Sequence, residues 1–276
     1  MTRLEKQIHG FLNTPALWIN NDFFEFSQFL FSSKPIPDKE QLKTFFPIIT
    51  KSPILGKRIE LFFRLIIQSH PNYKLLAENI QINSPERTLG ELDFIIEEFP
   101  KKRIIHLELM YKFYVYDPEI KEEMARWIGP NKKDTLIDKL NRVKFQQFPV
   151  LKIPETKKLL ETLQIELDEI EQEVCFKANL FIPEDTLNLK FPYINPECIA
   201  GFWIKYNEFT LSKYGEHQFI TPEKQDWMMH PKYGEEWVAY AHMLSTISEL
   251  NQRNRSPLIW MKKRDGSFHR FFIVWW

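Results

Sequence analysis

Gly90-Glu91-Leu92-Asp93-Phe94-Ile95-Ile96-Glu97 and Arg103-Ile104-Ile105-His106-Leu107-Glu108-Leu109-Met110-Tyr111-Lys112-Phe113-Tyr114-Val115-Tyr116 are the two most informative stretches of this 276-residue chain. Successive side chains of a strand point to opposite faces. In the second stretch Ile105, Leu107, Leu109, Tyr111, Phe113 and Val115 share one face, apolar or aromatic throughout, and that face belongs on a core. His106, Glu108, Met110, Lys112 and Tyr114 share the other, under partial cover. In the first stretch Leu92, Phe94 and Ile96 lie opposite Glu91 and Asp93. Phe99-Pro100-Lys101-Lys102 is a link of hairpin length, so the two strands can pair with Asp93 and Glu108 as neighbours on one polar face. Two carboxylates a few ångströms apart on a half-buried sheet repel unless a cation lies between them. A hard divalent ion with oxygen ligands suits that arrangement, and Mg²⁺ is the usual occupant where carboxylates are few and waters several. The plainer reading is a solvated sheet face, with Lys112 neutralising Glu108 and with Glu91, Glu97 and Glu98 in water.

Outward from this pair the order of elements is regular. Leu55, Ile59, Phe62, Phe63 and Ile66 recur at helical spacing over 54–68, with Pro53 before the start and Pro71 after the end. Strands are expected over 73–83, 90–98 and 103–116. Gly129-Pro130-Asn131 opens a helix to about 147, with Leu136, Leu140 and Val143 inward, and an acidic helix follows over 155–172. Residues 174–182 return to strand character. The amino-terminal 50 residues read as short packing helices around the proline-rich Lys34-Pro35-Ile36-Pro37. In the last third a strand is expected at 198–206 and a helix over 235–250, with Trp237, Tyr240, Ala241, Leu244 and Ile247 inward. A hairpin turning at Asp265-Gly266 closes the chain. The expectation is a mixed α/β protein in three parts: a helical segment (1–50), a core (51–185) and an α+β extension (186–276).

Composition removes several classes. The chain has 37 basic and 37 acidic residues, so no global field draws nucleic acid or membrane. Eight glycines, none closer than fourteen residues to the next, leave no GxGxxG, phosphate-binding P-loop or GxSxG elbow, and hence no nucleotide cofactor of those kinds. Two cysteines make neither a zinc ribbon nor a disulfide framework. His106 apart, the histidines lack metal-ligand spacing. No run reaches the ~18 apolar residues of a membrane span, and the amino terminus has no secretory core, so a cytoplasmic location is expected.

The order helix with Glu60, strand, strand with Asp93, strand with Glu108 and a lysine, helix, strand resembles the PD-(D/E)XK nuclease core, the restriction-endonuclease-like fold with a mixed sheet flanked by helices. Leu55-Gly56-Lys57-Arg58-Ile59-Glu60, Leu89-Gly90-Glu91-Leu92-Asp93, His106 to Tyr114 and Gly129-Pro130-Asn131-Lys132-Lys133-Asp134 carry the likeness over residues 50–185. The whole chain also resembles an uncharacterised bacterial family assigned to that superfamily. The resemblance implies a Mg²⁺- or Mn²⁺-dependent nuclease of DNA or RNA. Asp93, Glu108 and the Leu109 carbonyl would hold the ion, and Glu60 a second ion or a metal-bound water. Lys112 would orient water or stabilise transition-state charge. On the strand faces themselves, Glu91 is a supporting candidate, and His106, beside Glu108, is a general base, a ligand or a satisfied sheet histidine.

One departure is specific. The superfamily's lysine lies two residues after the glutamate, where this chain has Met110. Lys112 is one pleat further along the same face, displaced by ~6.6 Å. Lys139, Arg142 and Gln146 share a helix face opposite Leu136, Leu140 and Val143. With Lys132 and Lys133 near the helix start, they are candidates for holding phosphate oxygens. Met110 and the zero net charge favour the alternative, an inactive descendant that binds nucleic acid or a protein partner.

Overall fold

The computed structural model describes residues 1–19, 24–33, 37–52, 54–186 and 190–276. Pro53 and Lys34-Pro35-Ile36, named above, lie outside the described residues. In chain order the first elements are α1 (Arg3–Asn13), β1 (Ser27–Gln28), α2 (Lys39–Thr50), α3 (Leu55–Ser69), β2 (Tyr73–Asn83), β3 (Thr88–Glu98), β4 (Arg103–Tyr116) and β5 (Trp127–Ile128). Then come α4 (Leu136–Arg142), α5 (Pro154–Thr162), β6 (Ile170–Pro183), β7 (Ile199–Lys205) and α6 (Leu211–Tyr214). The last are β8 (Gln218–Ile220), β9 (Val238–Ala239), α7 (Tyr240–Gln252), β10 (Leu258–Lys262) and β11 (Phe268–Val274). The architecture is mixed α/β, with antiparallel and parallel strand pairs.

The chain divides into two compact units built from interleaved segments. One comprises Ala16–Tyr111 and Asp138–Lys177, and contains Asp93, Glu108 and Glu60. Its strands run in the order β2-β3-β4-β6, with β2, β3 and β4 antiparallel and β1 parallel to β6. The alternation read from sequence explains the packing. Phe94 turns to one face and meets Phe63 of α3, ring centroids 4.7 Å apart. Ile95 turns to the other and packs with Val150, Leu151 and Leu160. The link from β3 to β4 is a tight turn over Phe99–Lys101, closed by Lys102 at φ 51°.

The other unit comprises Met1–Pro15, Lys112–Ile137 and Ala178–Trp276. Its β11 pairs antiparallel with β10 and parallel with β7, and β8 bridges β10 to β9. Phe202, Phe209, Phe219 and Phe271 fill its core beneath Tyr240, Met243 and Ile247 of α7. Gly266, at φ 84°, makes the expected hairpin turn. Helix α1 begins with a reciprocal Thr2–Glu5 cap and is tied down by Arg3 and Gln7, both of which donate to Asp226.

Two expected helices are shorter than their patterns. The acidic helix runs only from Pro154 to Thr162, because Gln164 takes up φ 57° and the Ile165 N–H turns back to the Leu160 carbonyl. The helix expected over 235–250 begins at Tyr240, since Val238 and Ala239 pair with β8. Its inward stripe is therefore Tyr240, Met243, Leu244 and Ile247, and Ala241 is exposed.

Candidate functional site

The β3–β4 ladder pairs Phe94 with Leu107 and Ile95 with His106. Carried one step further along the strands, that register sets Asp93 opposite Glu108. There the strands part: the Leu109 N–H bonds the Asp93 carboxylate (2.9 Å) instead of a backbone carbonyl of β3. Glu108 and His106 are wholly buried, and Met110 nearly so, so this face is covered more completely than its polarity suggests. Burial, then the charge of Glu108, pushes the Asp93 carboxyl up to about 7 against the pull of the Leu109 N–H. Burial likewise pushes Glu108 up to about 7, with Lys139 and the Gln147 amide pulling the other way. The two acids are an under-compensated pair.

The cover over Glu108 comes from the segment after α4. Val143–Gln147 form a π turn, wider than an α-helical one. In an unbroken α-helix the residue two turns beyond Lys139 is Gln146, as expected from the sequence. The extra residue of the π turn passes that place to Gln147 and leaves Gln146 exposed. Gln147 Nε2 donates to Glu108 Oε2, and Gln147 Oε1 accepts from Lys139 Nζ at 3.0 Å. Lys139 is also the cation whose charge lowers both Asp93 and Glu108.

His106 stands on the other side of Glu108. Gln172 Nε2 donates to the Phe148 carbonyl (2.9 Å) and faces His106 Nδ1 at 3.0 Å, which makes Nδ1 an acceptor and leaves the proton of the neutral ring on Nε2. That nitrogen lies 3.2 Å from Glu108 Oε1, yet off hydrogen-bond alignment, so both atoms are buried without a hydrogen-bond partner. Burial drives the imidazole down to about 4, so it is uncharged at neutral pH.

Glu60 and Glu91 extend the acidic patch. Asn79 opposes Asp93 in the β2–β3 register and sits at φ 50°, the left-handed region that asparagine tolerates. With its amide nitrogen turned to the acids, Asn79 donates to Glu60 (3.1 Å) and Glu91 (3.3 Å). Lys57 Nζ bonds Glu60 at 2.8 Å, and its pKa is raised by that bond and by the charges of Glu60, Glu91 and Asp93. Asn79 and Lys57 escape a reading from strand alternation. Lys57 carried one available signal, its place one helical turn before Glu60.

The remaining candidates have surroundings of their own. Lys112 Nζ pairs with Asp134 at 2.6 Å in the second unit. Lys132, in that unit too, sits over the Trp276 ring (3.8 Å) and 3.7 Å from Asp117. Lys133 is exposed on the same loop, and Arg142 is exposed at the end of α4. Of the two cavities of note, one of about 490 Å³ borders the acidic patch and is lined by Lys51, Ser52, Lys57, Glu60, Arg64 and Asn79 among others. The larger, about 660 Å³, lies among Asp117, Lys132, Trp203 and Trp276 and shares no residue with the acidic pair. Volume is a poorer guide here than the buried charges.

Among the described residues no three His, Cys, Asp or Glu side chains are gathered into a metal cage. The donor chemistry nonetheless suits a hard cation: two carboxylates without a full counter-charge, one of them with a buried oxygen, Glu108 Oε1, that no hydrogen bond satisfies. Mg²⁺ takes few carboxylates and keeps several waters, so two acids are a sufficient protein contribution.

Fold and site together define a mixed α/β protein with a buried acidic pair where two antiparallel strands diverge. The chain belongs to the family described as Domain of unknown function (DUF1853), whose model matches residues 38–274. No curated protein and no solved structure matches it. Among the described residues no helix is long and apolar enough to cross a membrane.

Proposed function

We propose that this protein is a divalent-cation-dependent phosphodiesterase acting on DNA or RNA, with Asp93 and Glu108 as the ion-holding pair. The observation that carries the reading is the pair of buried carboxylates side by side on β3 and β4, both pushed up to about 7, with Glu108 Oε1 left without a hydrogen bond. The order α3, β2, β3, β4, α4, β6, with β5 before α4 and α5 after it, supports a restriction-endonuclease-like core, and the exposed Lys51 lines the cavity beside the Lys57–Glu60 pair.

A bound Mg²⁺ or Mn²⁺ would polarise a phosphoryl oxygen and lower the pKa of a coordinated water. The chain's own residues do the rest. Asp93 is fixed by the Leu109 N–H, so its second oxygen can serve as a ligand. Glu108 is oriented by Gln147, which donates to Oε2, and its Oε1 lies 3.2 Å from the His106 ring. His106, neutral at neutral pH and out of hydrogen-bond alignment with that carboxylate, would not serve as a base there.

Purified protein incubated with single- and double-stranded DNA and RNA and Mn²⁺ tests the proposal. Cleavage is expected, and Asp93→Ala is expected to abolish it. Cleavage that survives this substitution sinks the assignment. The complete burial of Glu108 favours a second reading, a binding module without catalysis, whose signature is metal-independent nucleic-acid binding that falls steeply with salt.

A further inference from the structure

We propose that Lys139 is the amine that contacts the substrate phosphate, in the role that the resemblance gives to Lys112, and that Gln147 is a displaceable stopper linking it to Glu108. The inference rests on the proposed function. Its observations are separate: the π turn, two hydrogen bonds made by one amide, and the placement of two lysines.

Gln147 uses both ends of its amide. Its nitrogen holds Glu108 Oε2, and its oxygen holds the Lys139 ammonium at 3.0 Å. The π turn is what brings it there, since an α-helical path would present Gln146. An amide is a weak partner for such a carboxylate. It satisfies one lone pair and contributes no net charge, so a cation that brings two charges to Glu108 displaces it. The same displacement removes a hydrogen-bond partner from Lys139, whose charge already acts on both acids. A phosphate oxygen at the ion then finds an ammonium donor beside it. Lys112 is engaged by Asp134 at 2.6 Å, and position 110 is a buried methionine. Of these two lysines only Lys139 shares a compact unit with Asp93 and Glu108.

The test uses the full chain. Mn²⁺ affinity is measured by calorimetry in the parent, in Gln147→Ala and in Gln147→Met, the last keeping side-chain length should the smaller residue destabilise the fold. Without the amide to displace, Mn²⁺ is expected to bind about threefold to tenfold more tightly. Lys139→Met is compared with Lys144→Met, the same charge change on an exposed lysine paired with Glu25 (2.6 Å). Mn²⁺-dependent binding of a short oligonucleotide is expected to weaken at least tenfold, and its cleavage to slow about a hundredfold, in Lys139→Met only. Weaker Mn²⁺ binding in both Gln147 variants overturns the stopper and makes Gln147 a support. Equal oligonucleotide binding by the two lysine variants, or none by the parent in Mn²⁺, overturns the role of Lys139. In all these results Asp93→Asn/Glu108→Gln abolishes Mn²⁺ uptake. Uptake that persists in that double variant instead overturns the proposed function.

Discussion

Asp93 Oδ2 accepts the Leu109 backbone N–H at 2.9 Å, which seats one carboxylate against the strand that carries another. Both acids are raised from ordinary carboxylate values to about 7 by burial, and Asp93 also by the charge of Glu108. A raised folded-state pKa contributes stability that is present below the unfolded value, near 4, and is lost as pH rises through 7. At pH 8 the metal-free pair therefore strains the fold. Asp93→Asn, with EDTA present, is expected to be more stable than the parent by about 2–4 kcal/mol at pH 8. The gap should narrow steadily from pH 7 to pH 4 in urea titrations. Burial lowers His106, whose contribution runs the opposite way, but it is common to both proteins. A destabilised Asp93→Asn at pH 8 would show that the acids are structural partners.

Cation binding is expected to depend on pH for the same reason. The ligand form is the carboxylate, so protons and metal compete. With both groups at about 7, Mn²⁺ affinity should fall by about 10- to 100-fold between pH 8 and pH 6. Calorimetry in buffers of different ionisation enthalpy should detect proton release at pH 6.5 and little at pH 8.5. A flat affinity across this range points to a site made of ordinary surface acids.

The strands around the site were legible because their alternation is nearly unbroken: Phe94 and Ile96 against Asp93, Leu107 and Leu109 against Glu108. The hairpin link and the Asp265-Gly266 turn were legible from turn chemistry. What escaped has a common cause. Gln147 in place of Gln146 is a one-residue phase change, Asn79 takes a left-handed φ inside a continuous β2–β3 register, and α5 stops at Thr162 before the left-handed Gln164; periodicity registers none of these local events. Burial of Glu108 escaped for another reason. It depends on Gln147, some forty residues away, which no window around the strand contains. The interleaving of the two units is likewise a product of long-range contacts.

Arg103, at the start of β4, is expected to matter more than a surface charge would. Its guanidinium holds Glu98 (2.6 Å), Glu171 (2.5 Å) and Glu173 (2.7 Å), and the Glu98 and Glu173 side chains are only 3% and 7% exposed. Removing one partner of a buried ion pair leaves uncompensated charge, which costs about 3–5 kcal/mol. Arg103→Met should lose that much in urea unfolding at pH 7. A loss under about 1 kcal/mol would mean that solvent already screens the cluster.

Gly90 bears on the site through a contact rather than a charge. A Cβ built there would stand 2.4 Å from Val150 Cγ2 and 3.1 Å from Cγ1, so only glycine lets the 148–152 turn close onto β3 beside Glu91. That turn follows directly on Gln147, which donates to Glu108. Gly90→Ala is expected to cost about 1–3 kcal/mol by overpacking, less any gain from a stiffer strand residue. Val150→Ala removes both methyls that the new Cβ would strike. The double variant should therefore be more stable than the two single losses predict, by at least about 1 kcal/mol in a double-mutant cycle. If the turn also sets the cover over Glu108, Gly90→Ala alone should tighten Mn²⁺ binding as Gln147→Ala does, and Val150→Ala should reverse the effect. Simple additivity of the two substitutions would show that the turn yields freely, and would remove Gly90 from the account of how the acidic pair is covered.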